Sequence, residues 1–314
     1  MKKMLALTLA LVMALGLCAC GGDTTDNGDA PAENPETNSP AETVTLDLPP
    51  VEDLTGTDTS AIAGVEDGVL TVAMECTYAP YNWTQMDDSN GAVPIKGSSE
   101  YANGYDVMIA KRICEAYGWE LEIVRTDWNS LVPGIQSGLY DAVIAGQSMT
   151  EDRMEQVDFA GPYYYASIVC VAKDGSPQAS AKGISELTGT ATAQIETIWY
   201  DTCLPQIKGA EIQTAAETAP AMLMALETGA VEFICTDIPT AKGAVAAYDD
   251  MVILDFTDTE YNFQVDEGDI NIGISLKKGN TELKDAINKV VSALNKDNFD
   301  NLMDYAVSIQ PLNQ

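Results

Sequence analysis

Apolar positions along the chain fall into blocks of two alternating kinds. Val69-Leu70-Thr71-Val72-Ala73-Met74 is a continuous apolar and β-branched run, the pattern of a buried strand. Val107, Ile109, Ala110, Ile113 and Cys114 recur at helical spacing and predict a helix over 107–117. A strand at 120–125, a short helix at 128–137 closed by Gly138, and a buried strand at 142–145 follow. A second series repeats the alternation. It has strands at 167–173 and 191–194, a helix beginning at Thr197, a helix at 219–228 ended by Gly229, and a strand at 231–235 running into Thr236-Asp237. A strand at 270–276 and helices at 281–295 and 298–306 complete the chain. Ile135-x-x-Gly138-x-x-Asp141 in the first series is echoed by Leu226-x-x-Gly229-x-x-Glu232 in the second. Two such series predict two α/β lobes. Ligands of such sheets sit at the carboxyl ends of strands, and Tyr78, Ser148, Thr197 and Asp237 all follow strand ends.

The first 67 residues break the pattern. Lys2 and Lys3 precede an apolar run from Met4 to Leu17 that is too short for a stable membrane span. The run ends in Leu17-Cys18-Ala19-Cys20-Gly21, which resembles a bacterial lipobox. That resemblance implies a signal peptide over 1–19 and a lipid on Cys20, the membrane attachment. Residues 21–67 are rich in Asp, Glu, Thr, Pro and Gly, contain no basic residue and show no apolar period. Cys20 and this segment, 20–67, are expected to form a disordered acidic tether of about 40 Å r.m.s. reach.

Charge narrows the chemistry. With 16 basic and 48 acidic residues, the net charge is −32, so nucleic acid is excluded as a partner. No histidine occurs, which removes Ser-His-Asp and Cys-His catalysis and most zinc sites. No cofactor is indicated. Beyond Cys18 and Cys20 five cysteines remain: Cys76, Cys114, Cys170, Cys203 and Cys235. Their number is odd and no CxxC occurs, so they are expected as buried thiols rather than a disulfide framework or a metal knuckle.

One cation stands out. Arg153 is the only basic residue between Arg125 and Lys173, and it follows a small-residue turn at a strand end. It is either a carboxylate-binding group or a surface arginine paired with Asp152 or Glu155. Asp237, before Ile238-Pro239, is either a cleft anion or a helix N-cap, and the two roles are compatible. Tyr105 is either a cleft wall or lobe core. Tyr81, Trp83 and Trp128 are expected to be packing.

Three motifs carry a resemblance: Thr77-Tyr78-Ala79-Pro80-Tyr81, Gly104-Tyr105-Asp106-Val107, and the run from Asp141 through Gly146-Gln147-Ser148-Met149-Thr150-Glu151-Asp152-Arg153 to Tyr164. With them, the chain from Gly68 onward resembles the family 3 extracellular solute-binding proteins, receptors of polar amino-acid ABC importers. The resemblance implies a two-lobed periplasmic-binding-protein fold of type II with a two-stranded hinge. Lobe 1 would be 68–165 plus 273–314, and lobe 2 would be 166–272. It further implies a monomer that delivers a free amino acid to membrane permease subunits and closes on its ligand by hinge motion.

The resemblance also assigns roles. Arg153 and Ser148 would hold the ligand α-carboxylate, the Gly146 carbonyl and Asp237 the α-ammonium, and Tyr78 and Tyr105 would sandwich the side chain. Thr197 would add to the carboxylate grip. Glu75, where many relatives place an acid, favours lysine or arginine, with glutamine or cystine next. Two positions depart from the pattern. Met108 replaces a preferred acid, and Glu196 replaces a glycine before Thr197. A fold-related enzyme would need Glu75 or Asp237 as acid or base, and both already have binding roles. A sensor ectodomain would need a second apolar span, and none follows before Gln314. A free receptor is the expectation.

Overall fold

The structure, a computed structural model, describes residues 46–311. The signal peptide, Cys20 and the first half of the expected tether lie outside the described residues.

Two five-stranded sheets have matching strand orders. In the first, Glu120–Arg125, Val69–Met74 and Ala142–Val143 run parallel, and Asn271–Leu276 and then Asp158–Tyr165 continue the sheet antiparallel. In the second, Gly209–Ile212, Thr188–Thr192 and Phe233–Asp237 run parallel, followed by Ile168–Lys173 and Met251–Leu254 antiparallel. The sheets are called here the first and second lobe. The chain passes from one to the other between Tyr165 and Ile168 and returns before Asn271, where the Ala166 N–H donates to the Ile270 carbonyl at 3.0 Å.

The sequence echo has a structural meaning. Gly138 and Gly229 both have left-handed backbone, at φ 76° and 73°, just beyond their helices. The acid three residues later then reaches back to the neighbouring strand: Asp141 accepts from the Thr71 N–H at 2.9 Å, and Glu232 from the Thr190 N–H at 2.8 Å. Both lobes thus use one device to lock a parallel strand pair, and the carboxyl ends of those strands point to one cleft.

The tether expectation needs correction. From residue 46 onward the segment lies folded on the first lobe. Leu54 and Val65 are buried, the Leu54 N–H donates to the Ala116 carbonyl at 2.8 Å, Arg112 donates to the Pro49 carbonyl at 2.8 Å, and Trp119 Nε1 donates to Thr59 Oγ1 at 3.2 Å. A few isolated apolar side chains and backbone bonds to an existing lobe suffice here, where composition alone argues for disorder. A small four-stranded sheet, Thr77–Tyr78, Asn82–Gln85, Tyr101–Asn103 and Val93–Pro94, covers the cleft end of the first lobe. All five described cysteines are free and buried. Among the described residues no helix is long and apolar enough to cross a membrane.

Candidate functional site

The cleft between the sheets narrows to a small chamber of about 10 Å³ lined by Tyr78, Trp128, Gly146, Ser148, Arg153, Gln194, Thr197 and Trp199. It opens outward to a mouth of about 590 Å³, whose rim includes Glu151, Asp152, Glu196, Asp201 and Asp269. The chamber has room for about one water, so any larger solute enters only when the lobes part.

Arg153 sits on the short helix Glu151–Gln156, whose N-cap Thr150 accepts from the Arg153 N–H. Its guanidinium bridges the lobes. Nη1 donates to the Ser148 carbonyl at 3.0 Å, and Nη2 to the Glu196 carbonyl of the second lobe at 2.7 Å. The group lies over the Trp128 ring, 5.3 Å from its centroid. No carboxylate pairs with it among the described residues. Burial lowers its pKa to about 10 even though Glu196, Asp201 and Asp269 favour the charged form. The cation is thus held by neutral carbonyls and an aromatic face, with nearby acids at longer range but none in direct ion-pair contact among the described residues.

Asp237 is the complementary case. It ends the strand Phe233–Asp237 and caps the helix Ile238–Ala247, with Oδ1 accepting from the Thr240 N–H at 3.0 Å. Oδ2 accepts from the Tyr81 hydroxyl at 2.9 Å and from the Tyr78 hydroxyl at 3.3 Å, both on the first lobe. One carboxylate thus caps a second-lobe helix and accepts from two first-lobe hydroxyls. Burial pushes its pKa up, and the bonds from Thr240, Tyr81 and Tyr78 hold it down. No cation pairs with it among the described residues.

Gly146 must be glycine. Its φ is 64°, and a Cβ there would meet Tyr78 Cε1 at 2.7 Å. Thr197 donates its hydroxyl to the Gln194 carbonyl at 2.7 Å, closing the turn that enters a π-turn at Trp199–Cys203. Glu196 lies in left-handed backbone at φ 57°, which explains why glycine suits this position. Its residue is exposed, and its carbonyl rather than its acid meets Arg153.

Glu75 and Gln194 face one another from opposite lobes. Burial raises the Glu75 carboxyl to about 7; Gln194 counteracts this, and Asp127 and Asp106 add to it. Glu75 Oε2 and Gln194 Nε2 both lack a well-formed hydrogen-bond partner, and both residues are buried. Buried polar atoms left this way are costly. Together they offer a place for a polar side chain.

Tyr105 is not brought to the chamber. It is fully buried, donates its hydroxyl to the Tyr163 carbonyl, and packs edge-on against Tyr81 and face-on against Tyr163. As the first residue of the helix Tyr105–Tyr117, it lies in the first-lobe aromatic core. The aromatic residues that line the chamber are Tyr78, Trp128 and Trp199, with the Tyr78 and Trp199 ring centroids 6.3 Å apart. Trp128, expected as packing, lines the chamber, and Tyr81, also expected as packing, is fully buried with its hydroxyl on Asp237. Gln194 was signalled by its strand-end position; Trp199 carried no comparable signal.

The sequence profile of the bacterial extracellular solute-binding proteins, family 3, matches residues 70–305. This chain belongs to that family. The family 3 protein is 25% identical over 276 residues to a probable histidine-binding protein of Neisseria gonorrhoeae, covering 86% of this chain and 85% of the relative. It is 25% identical over 233 residues to the L-cystine-binding protein TcyJ of Escherichia coli K12, covering 74% and 79%. Among solved structures, it is similar to the amino acid ABC transporter substrate-binding protein AbpA from Streptococcus pneumoniae bound to L-arginine. That likeness has a TM-score of 0.65 at 25% identity, over 78% of this chain and 97% of AbpA.

Proposed function

We propose that this family 3 protein captures a free polar amino acid outside the cytoplasm and hands it to the permease of an ABC importer, tethered at the membrane by a lipid on Cys20. The observation that carries the reading is the opposed pair in the cleft. Arg153, which lines the chamber, is a guanidinium without a carboxylate partner, and Asp237, buried behind the Tyr78 hydroxyl, is a carboxylate without a cation among the described residues. A zwitterion supplies both missing charges at once. Its carboxylate meets the Arg153 fork, and its ammonium meets Asp237 and the Gly146 carbonyl. Ser148 and Thr197 flank the carboxylate end.

The ligand side chain then points to Glu75 and Gln194. A guanidinium or ammonium completes Glu75, while a carboxamide donates to Glu75 and accepts from Gln194 Nε2. The buried acid ranks lysine or arginine first, with glutamine or cystine next. The relatives whose names refer to histidine and cystine, and the arginine-bound AbpA, support the amino-acid class.

The test starts with ligand retained by the purified protein, released by denaturation and identified by mass spectrometry. Calorimetry with L-arginine, L-lysine, L-glutamine and L-cystine follows. Binding of none of them, with no retained amino acid, overturns the reading. The membrane attachment is tested in the same cells, where Cys20→Ser releases the protein from the membrane fraction; retention there refutes the lipid anchor.

A further inference from the structure

Asp106 belongs to none of the groups that line the chamber and is fully buried, yet two cleft loops hang from it. Its Oδ1 accepts from the Tyr163 hydroxyl at 2.7 Å, and that hydroxyl in turn accepts from the Gly146 N–H at 3.0 Å. Its Oδ2 accepts from Asn82 Nδ2 at 2.8 Å, and Asn82 Oδ1 accepts from the Cys76 N–H at 2.7 Å. Each relay ends on a backbone in left-handed conformation, Gly146 at φ 64° and Cys76 at φ 58°. Cys76 lies between Glu75 and the Thr77-Tyr78 strand, and Gly146 opens the turn that carries Ser148.

The direction of both relays follows from the carboxylate. Once ionised, the Asp106 carboxylate only accepts. Tyr163 must therefore spend its proton on Asp106, which turns its lone pairs toward Gly146. Asn82 must present its NH₂ to Asp106, which turns its carbonyl oxygen toward Cys76. Any group that could donate would let either relay reverse.

We propose that Asp106 is a positioning residue of the binding site, setting the Gly146–Ser148 turn through Tyr163 and the Glu75–Tyr78 loop through Asn82. The inference rests on the reading of the cleft as an amino-acid site, and it divides the labour between the two arms. The Tyr163 arm sets the groups that meet the α-carboxylate and α-ammonium, common to every amino acid. The Asn82 arm sets Glu75, which meets only the side chain.

The experiment compares Asp106→Asn, Tyr163→Phe and Asn82→Leu in the full chain by amide hydrogen exchange and by calorimetry with L-arginine and L-glutamine. Tyr163→Phe speeds exchange at Gly146 alone and weakens both ligands by the same factor, about tenfold. Asn82→Leu speeds exchange at Cys76 alone and changes the arginine-to-glutamine affinity ratio. Asp106→Asn does both. Its effect on the shared factor shrinks once Tyr163 is already Phe, because the arm it acts through is gone. A purely structural Asp106 would lower Tm while leaving both amides and both affinities within twofold of the parent, and that result overturns the proposal. If Asp106→Asn does not fold, Tyr163→Phe, which removes one atom, still decides the matter by the same two readouts. A parent that binds neither arginine nor glutamine, nor any amino acid retained on purification, refutes the amino-acid reading, while the exchange pattern at Gly146 and Cys76 still tests the relays.

Discussion

The two lobes share a strand order but hold their cleft groups in opposite ways. In the first lobe, the cleft loops are fixed from beneath by buried side chains distant in sequence: Asn82, Asp106 and Tyr163 connect Cys76 to Gly146 across 70 residues of chain. Within the second lobe itself, the bonds that fix Asp237 and Thr197 are local. Asp237 is held by the amide of Thr240, and Thr197 by the carbonyl of Gln194, each three residues away. On the proposed reading, the difference teaches how a hinged binder divides its tasks. A lobe that receives the ligand first gains from a site already in place before closure, since ordering it on binding would subtract from affinity. A lobe that closes later needs only groups that travel with their own helix. The bonds from Tyr78 and Tyr81 to Asp237, and from Arg153 to the Glu196 carbonyl, are the points at which the second lobe is read by the first.

The strongest way to break this picture is to remove the first-lobe charge. Arg153→Ala deletes the cation of a desolvated pair, which costs about 4 kcal/mol or three orders of magnitude in affinity. The fold loses little, because the guanidinium bonds only to carbonyls near the cleft. Calorimetry with the amino acid retained by the parent checks it. Unchanged affinity would remove Arg153 from the site, and the comparison of lobes would lose its first-lobe anchor.

The second lobe should matter less, and in a different way. Asp237→Asn keeps the shape and a carbonyl oxygen to cap Thr240 but loses the charge; we expect a loss of about 2 kcal/mol in amino-acid affinity. The parent should bind a deaminated analogue far more weakly than the amino acid and compact less with it, as read by the radius of gyration in small-angle scattering. In Asp237→Asn the two ligands should draw level. Equal compaction of the parent by both ligands would show that closure does not depend on the ammonium, and Asp237 would be a helix cap alone.

How much of this was legible depended on whether a residue's role is set locally. The strand Val69–Met74 and the helix from Thr281 follow from apolar period and capping. Asp237 was readable as a helix cap because the cap and the strand end before it are each sequence-local. The tyrosines were not separable. Tyr78, Tyr81 and Tyr105 lie in neighbouring motifs, and only three-dimensional packing sends Tyr105 into the core and the Tyr81 hydroxyl to the other lobe. The strands of the small sheet at 77–103 are two to four residues long, too short for a period to declare itself. The Asp106 relays join residues far apart in sequence through side-chain bonds, which no spacing rule reports. Leu54 and Val65 show the same limit: isolated apolar residues in an acidic segment carry no period, yet they bury on an existing surface.

The smallest expected effect, and the one that sharpens the comparison most, is in the pH dependence of the side-chain pocket. Burial holds the Glu75 carboxyl at about 7, above its ordinary 4.5. A cationic side chain arriving there favours the ionised form, so below pH 7 binding must expel a proton. Arginine affinity should therefore climb with pH, by up to roughly tenfold per unit between pH 5 and 7, and level off above. Glutamine, which needs no ionised partner, should show a flatter curve. Stability of the ligand-free protein runs the other way. A carboxyl whose folded pKa is raised contributes stability that is complete below its unfolded value and is lost as pH rises through its folded value, here from 4.5 to about 7. The Tm of the free protein should fall across that window, and saturating arginine should oppose the fall. Asp106 is also raised to about 7 by burial, against the bonds from Tyr163 and Asn82, so Glu75→Gln should remove only part of the slope in Tm. The same variant should remove most of the slope in arginine affinity, because Glu75 meets the ligand side chain directly while Asp106 acts on the site only through Tyr163 and Asn82. If Glu75→Gln left the affinity slope intact, the proton would belong to another group, and the side-chain pocket would have to be sought on the second lobe.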